Sequence, residues 1–257
     1  MTVSARAFKI LRRRKRRKKI VHKVSPFIPF IFTFANAVAG FFSAVKAIDE
    51  SFTLAAVCII FACLMDALDG RVARFCKSES LLGAELDGLC DAISFCFAPA
   101  ILVYSMYGAQ LGMLGLFILG LYVCCGLFRL ARFNTAHSAC GPYFVGLPAP
   151  VAALTISVCV LYTKWILTGP FSFLVSPKGI SAVIAGLGLL MSSTILFPSF
   201  KTYKFKFPYS MLHLIPLMSI VGICLVKQYP ILFVLTFGYV LTGSIYYFLE
   251  AAKRFLM

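Results

Sequence analysis

The chain has 257 residues, of which 61% are hydrophobic and only 13% charged, and it carries a formal net charge of +16. Soluble domains use about 25% charged and about 45–50% apolar residues, so this balance excludes an ordinary water-soluble globule and points to lipid as the solvent. The excess of base would suit nucleic acid, but the run from Arg12 to Lys19 is better read as a topology signal that also attracts anionic headgroups, at about 1 kcal/mol per charge near the surface; no nucleic-acid partner is expected.

In chain order, residues 1–25 form a basic segment expected on the cytoplasmic side, without the pattern of a cleavable signal. Residues 26–257 read as one transmembrane domain. Eight apolar runs approach the roughly 20 residues that a bilayer span needs, over 26–47, 52–68, 82–104, 111–130, 148–167, 179–197, 211–226 and 231–248. Runs of this length without alternation are helices, because lipid leaves no partner for unpaired backbone groups. The expected fold is therefore all-α, a polytopic membrane helix bundle with about eight transmembrane helices. The ten cysteines fall mostly within these runs and read as small packing residues rather than a disulfide framework or zinc site.

Orientation follows from the basic residues. Of 25 Lys and Arg, all but Lys46, Lys164, Lys178 and Lys227 lie before the first span, after spans two, four and six, or in the tail. Short cytoplasmic loops retain positive charge, so both termini are expected in the cytoplasm. The expectation is a multi-pass protein of a bacterial inner (plasma) membrane rather than of the endoplasmic reticulum.

The acids carry the chemistry. Only nine exist, yet Asp66, Asp69, Glu85, Asp87 and Asp91 lie within 26 consecutive positions at the cytoplasmic ends of spans two and three. A carboxylate in a membrane helix costs about 2.5–3.5 kcal/mol even on insertion scales, so such residues face a cavity and work there. Asp66 and Asp69 are three apart and Asp87 and Asp91 four apart, which puts each pair on one helical face. Two such pairs on antiparallel neighbours repel unless cations bind, and oxygen donors suit magnesium or manganese. Gly70 and Gly83 leave bare backbone beside the acids, and Arg74 offers a charge to phosphate.

These residues form D-x2-D-G-x2-A-R-x8-G-x3-D-x3-D, with Asp66, Asp69, Gly70, Ala73, Arg74, Gly83, Asp87 and Asp91 at the fixed positions. The pattern resembles the signature of the CDP-alcohol phosphotransferase family, and eight such coincidences arise by chance on the order of once in 10¹⁰ starts. The resemblance implies that Asp66, Asp69 and Asp87 hold a divalent cation, Mg²⁺ or Mn²⁺, two per site. It implies that Asp91 is the general base and also touches the second ion. It further implies that Asp66, Gly70, Ala73, Arg74 and Gly83 line the CDP-lipid, joined by Thr33 of the first span, and that the protein is a homodimer. The first span departs from relatives that begin with Pro-Asn, since Phe30 follows Pro29, while Thr33, Asn36 and Gly40 match.

A second region, Phe128-Arg129-Leu130-Ala131-Arg132-Phe133-Asn134 with 143–150, looks like the phosphatidylserine synthase branch, as do 190–193 and 197–201. That branch implies CDP-diacylglycerol and serine as substrates in membrane lipid, with Arg129, Arg132, Asn134 and Lys201 as candidates for acceptor binding. Arg129 and Arg132 lie at the depth of the acids, where a guanidinium can clamp a carboxylate or a lipid phosphate; positive-inside topology accounts for them equally. Other acceptors (glycerol 3-phosphate, inositol phosphate, choline) and an ether-linked donor stay open. A cation transporter is the competing class, and it would distribute acids across the bilayer.

Overall fold

The computed structural model describes residues 27–76, 80–135, 143–198 and 232–243. The first helix, α1 (Phe27–Ile48), turns directly into α2 (Phe52–Cys76), and the two lie side by side. α1 places small and polar groups inward: Thr33, Asn36, Ala39, Ser43 and Ala47 are buried, while Ile31, Phe34, Val38 and Phe41 are exposed. Large apolar side chains outside and small ones inside are what a helix in lipid requires, since close approach of backbones replaces the hydrophobic effect as the source of packing. Ser43 Oγ donates to Ala55 O across this seam at 2.9 Å.

The α1–α2 turn is a Schellman cap: Ser51 N donates to Lys46 O at 2.9 Å and Glu50 N to Ala47 O at 3.1 Å. Glu50 takes φ = 59° there, a left-handed position that costs a side-chain-bearing residue roughly 1–2 kcal/mol. Glycine's extra freedom in the unfolded chain offsets part of this. Glu50→Gly is therefore expected to stabilise the protein by about 0.5–1 kcal/mol, read as a higher melting temperature in detergent.

α3 (Leu81–Asp91) begins at Ser80, whose hydroxyl accepts from Gly83 N at 3.0 Å. It runs through one wide π-helical segment (Ala92–Phe97) into α4 (Ala98–Thr135). The apolar run Leu81–Thr135 has 55 residues; at about 1.5 Å per residue it would reach about 80 Å, against a hydrocarbon core of about 30 Å. It folds back on itself instead. Gly112 leaves the helical conformation with φ = 59° and ψ = −161°. On either side, Tyr122 Oη donates to Phe95 O at 2.9 Å, and a Cβ on Gly88 would lie 2.7 Å from Asn134 Nδ2. Those pairings run in opposite directions, so the two halves form an antiparallel hairpin, as the separate third and fourth spans expected from sequence require.

A short antiparallel pair, β1 (Tyr143–Val145) with β2 (Leu196–Pro198), frames the remaining helices α5 (Ala149–Leu161), α6 (Thr163–Thr168), a 3₁₀ turn (Ser172–Val175) and α7 (Pro177–Ser192). α7 has Pro177 in its first turn and Ser176 as N-cap, accepting from Gly179 N at 3.1 Å. A last described helix, α8 (Leu232–Gly243), packs Phe233 against Trp165 and Phe171, with Phe237 beside Phe233. α2 packs on α5 and α4 on α7, with the π-helical segment between α1 and α4.

The architecture is a bundle of apolar helices that fits an integral membrane protein, and several expected boundaries move. The second span extends by two turns, to Cys76, because the acidic stretch continues the helix rather than ending it. The fifth breaks at Tyr162 into α5 and α6. The sixth stops at Ser192, and 196 and 197, expected to be helical, pair within the strand Leu196–Pro198 instead. The seventh expected span and both termini lie outside the described residues.

Candidate active site

The acids meet where α2 and α3, each packed on α1, approach one another. One carboxylate oxygen from each of Asp66, Asp87 and Asp91 lies within 4.8 Å of the others. The helical spacing on α2 and α3 produces this convergence: Asp66 is half-buried, Asp91 is buried at 8% exposure, and Asp87 lies one turn before Asp91. Asp69, one turn beyond Asp66, is also buried, and Thr33 Oγ1 of α1 donates to its Oδ2. Three of the four aspartates expected to hold metal thus form one cluster, with the fourth beside it in the grip of Thr33.

α1 reaches the cluster a second time, where Asn36 Nδ2 donates to Asp91 Oδ1 at 2.9 Å. Among the described residues, the buried side-chain oxygens left without a hydrogen-bond partner are Asn36 Oδ1 and Asp87 Oδ1. An unpartnered buried carboxylate oxygen is costly, and here Asp87 stands with Asp66 and Asp91, one carboxylate oxygen of each lying within 4.8 Å of the others. Carboxylate oxygens converging in this way suit a hard divalent ion, so the residues present fit the expected cation.

The glycines beside the acids have distinct surroundings. A Cβ on Gly70 would meet nothing within 4 Å, so the backbone there faces open space. One on Gly83 would lie 3.1 Å from Ser80 Oγ and 3.7 Å from Phe30 Cε1. Ala73 and Arg74 belong to the last turns of α2. Lys201 lies outside the described residues.

The two arginines of α4 differ. Arg129 is 7% exposed, with its guanidinium 5.6 Å from the Phe133 ring centroid. It is near enough to Asp91 and Asp66 to interact electrostatically, but it makes no ion pair with a described residue. Arg132 is committed to backbone carbonyls: Nη2 donates to Val145 O at 2.8 Å, Ser193 O at 3.1 Å and Met191 O at 3.4 Å, and Nη1 to Ser192 O at 3.4 Å. It caps the C-terminus of α7, where carbonyls lack helical partners, and ties it to β1. Asn134, two residues on, lies against Gly88 of α3.

Gly146 makes room for this clamp. Its φ is +79°, and a Cβ there would fall 2.5 Å from Met191 O and 2.6 Å from Arg132 Nη2. Gly146→Ala is expected to destabilise the protein by about 1–3 kcal/mol, measured as a lower melting temperature in detergent. Sequence reasoning missed Gly146, and it singled out Asn36 without naming its partner, Asp91. The signal for Asn36 was present, because it lies three residues from Thr33 and four from Gly40 on one face of α1. The carbonyl partners of Arg132 come from 145 and 191–193, and nothing in local spacing announces them.

Comparison with known proteins agrees with this geometry. Residues 26–195 match the model of the CDP-alcohol phosphatidyltransferase family. A Helicobacter pylori protein named CDP-diacylglycerol–serine O-phosphatidyltransferase is 36% identical over 181 residues, covering 69% of this chain and 74% of the relative. A Methanothermobacter thermautotrophicus protein named archaetidylserine synthase is 37% identical over 180 residues, 68% of this chain and 72% of its own. A Bacillus subtilis protein, also named CDP-diacylglycerol–serine O-phosphatidyltransferase, is 30% identical over 177 residues, 69% of this chain and 93% of its own. With the signature aspartates gathered at one end of a helix pair and the family model matched along most of the bundle, the chain belongs to the CDP-alcohol phosphatidyltransferase family.

Proposed function

We propose that this protein transfers the phosphatidyl group of CDP-diacylglycerol to L-serine, giving phosphatidylserine and CMP. The observation that carries the reading is the convergence of Asp66, Asp87 and Asp91 within 4.8 Å, in a chain whose relatives of similar length are named as serine phosphatidyltransferases. Asp66, Asp69, Asp87 and Asp91 hold two divalent cations, Mg²⁺ or Mn²⁺. When bound, these supply charge neutralisation of the pyrophosphate and of the departing CMP.

The chain's own groups do the rest. Asp91 accepts the proton of the serine hydroxyl. The seryl oxygen forms its bond to the phosphatidyl phosphorus as the bond from that phosphorus to the CMP oxygen breaks, and CMP leaves with the electron pair. No covalent enzyme intermediate is needed. Thr33 keeps the Asp69 carboxylate in place. Gly70, Ala73, Arg74 and Gly83 border the nucleotide, Gly70 by presenting open backbone. Arg129 receives the acceptor's carboxylate, for which a buried guanidinium without an ion pair to any described residue is suited. Asn134 and Lys201 border the acceptor, while Arg132 acts there through the α7 clamp.

The same reading places eight spans in the membrane, both termini and the site on the cytoplasmic side, and a bacterial inner membrane as the location. It makes the functional unit a homodimer, which crosslinking in native membrane would refute by finding monomer alone. An ether-linked donor is the second reading, favoured by the archaetidylserine synthase among the relatives. Purified protein with CDP-diacylglycerol and Mn²⁺ is expected to release CMP on addition of serine, and not on addition of glycerol 3-phosphate, inositol phosphate or choline. Release with another acceptor would overturn the choice of serine.

A further inference from the structure

The unpartnered carbonyl of Asn36 is difficult to reconcile with a packing role. Asn36 is fully buried on α1, and it spends its amide nitrogen on one oxygen of Asp91 at 2.9 Å. A carboxylate only accepts hydrogen bonds, so the amide must present its NH₂ to Asp91, which turns Asn36 Oδ1 the other way. That oxygen is buried with no partner among the described residues. Leaving an acceptor so is costly, and an apolar side chain of the same size would avoid that cost.

The surroundings hold Asn36 and Asp91 in one fixed relation. Ser94, three residues after Asp91 and within the π-helical segment, donates Oγ to the backbone carbonyl of Asn36 at 2.8 Å. One turn further along α1, Gly40 lets the two helices close: a Cβ there would lie 2.7 Å from Ser94 Cα. α1 is therefore held against the helix that carries Asp91 at Asn36 and at Gly40, while Thr33, one turn earlier, ties it to Asp69 of α2. Tyr122 Oη holds Phe95 O in the same wide turn.

We infer that Asn36 is the positioning residue of the reaction: it occupies one oxygen of Asp91 and so aims the other at the hydroxyl it deprotonates. This rests on the reading of Asp91 as the base, and its test separates the two. An ångström of misplacement at a reacting group can cost about a hundredfold in rate. Asn36→Leu, which keeps the volume and removes the donor, is accordingly expected to lower kcat for CMP release by about ten- to a hundredfold, with KM for CDP-diacylglycerol and for serine changed less than about threefold. A purely structural role would instead lower the melting temperature and reduce the apparent kcat only in proportion to the folded fraction, leaving the rate per folded molecule unchanged.

The decisive arm combines substitutions. In an Asp91→Asn background, Asn36→Leu is expected to cost no further activity, because there is no base left to aim. The inference is overturned if folded Asn36→Leu keeps its kcat, or if the same factor is lost again in the Asp91→Asn protein. Should Asn36→Leu fail to fold, Asn36→Ser, too short to reach Asp91, is read by the same criteria. If Asp91→Asn alone keeps full activity, the base assignment fails instead, whatever Asn36 does.

Discussion

Asp91→Asn is expected to lower serine-dependent CMP release by about 10²–10⁴-fold, the usual contribution of a positioned general base. The substitution is nearly isosteric, and the local structure has a ready answer to it. The new amide can present its carbonyl oxygen to Asn36 Nδ2, preserving the bond at 2.9 Å that joins α1 to α3. The helix pair therefore stays assembled, and Asp66 and Asp87 keep their places. What disappears is the only group at that position able to take a proton from the incoming hydroxyl. The expected signature is a collapse of kcat with KM for CDP-diacylglycerol held within a few-fold, since uniform substrate binding does not depend on the base. Initial rates of CMP release, alongside a melting curve in detergent, read both quantities. An Asp91→Asn protein that folds and turns over at the native rate would remove Asp91 from the chemistry.

Arg129→Gln is expected to raise KM for serine by about ten- to a hundredfold, because a hydrogen bond to a charged group contributes about 1.5–3 kcal/mol and about 1.4 kcal/mol is a factor of ten. The Arg129 guanidinium is 7% exposed, lies over the Phe133 ring and stands near Asp91 and Asp66 without an ion pair to either. A buried charge left this way costs several kcal/mol unless something completes it. An acceptor carboxylate entering between Arg129 and the acids would do so, and it would bring the hydroxyl on the same small molecule toward Asp91. The glutamine keeps donors but loses the charge, so KM for CDP-diacylglycerol should stay nearly constant and the melting temperature should hold or rise. An unchanged KM for serine would assign Arg129 to topology alone.

The contrast with Arg132 shows what could be read from sequence and what could not. Both arginines follow the fourth span at helical spacing, and sequence offers each as an acceptor ligand or a positive-inside charge. Only the fold distinguishes them, because the four carbonyls that engage Arg132 come from segments 13 to 61 residues away. The acidic cluster was legible because helical periodicity alone brings i, i+3 and i, i+4 carboxylates onto one face. It was less legible that Asp69 would turn toward Thr33 while Asp66 joined Asp87 and Asp91. That partition depends on where α1 crosses. Short apolar runs misled the boundaries for a related reason: 195–197 are as hydrophobic as the helix before them, and periodicity cannot tell a buried strand from a buried helix over so few residues.

The placement of the acids also bears on cation transport, the competing class. A conduction path needs polar groups through the whole thickness of the bilayer. Apart from Asp49 and Glu50, exposed at the α1–α2 turn where Asp49 pairs with Lys46 at 2.9 Å, the described acids instead lie toward the opposite end of the bundle. Away from the acids the described helices are packed with Ile59, Leu102, Ile156 and Ile180, all fully buried. A site open at one end suits a reaction between a membrane-held donor and a water-soluble acceptor.

The most direct test follows labelled serine into lipid. Purified protein in detergent, given CDP-diacylglycerol, labelled serine and either Mn²⁺ or Mg²⁺, is expected to move the label into an organic-soluble product as CMP appears in equal amount. Chelation of the metal should stop both. Label that stays in the aqueous phase while CMP is released to another alcohol, or no CMP with any acceptor from folded, metal-supplied protein, would contradict the account.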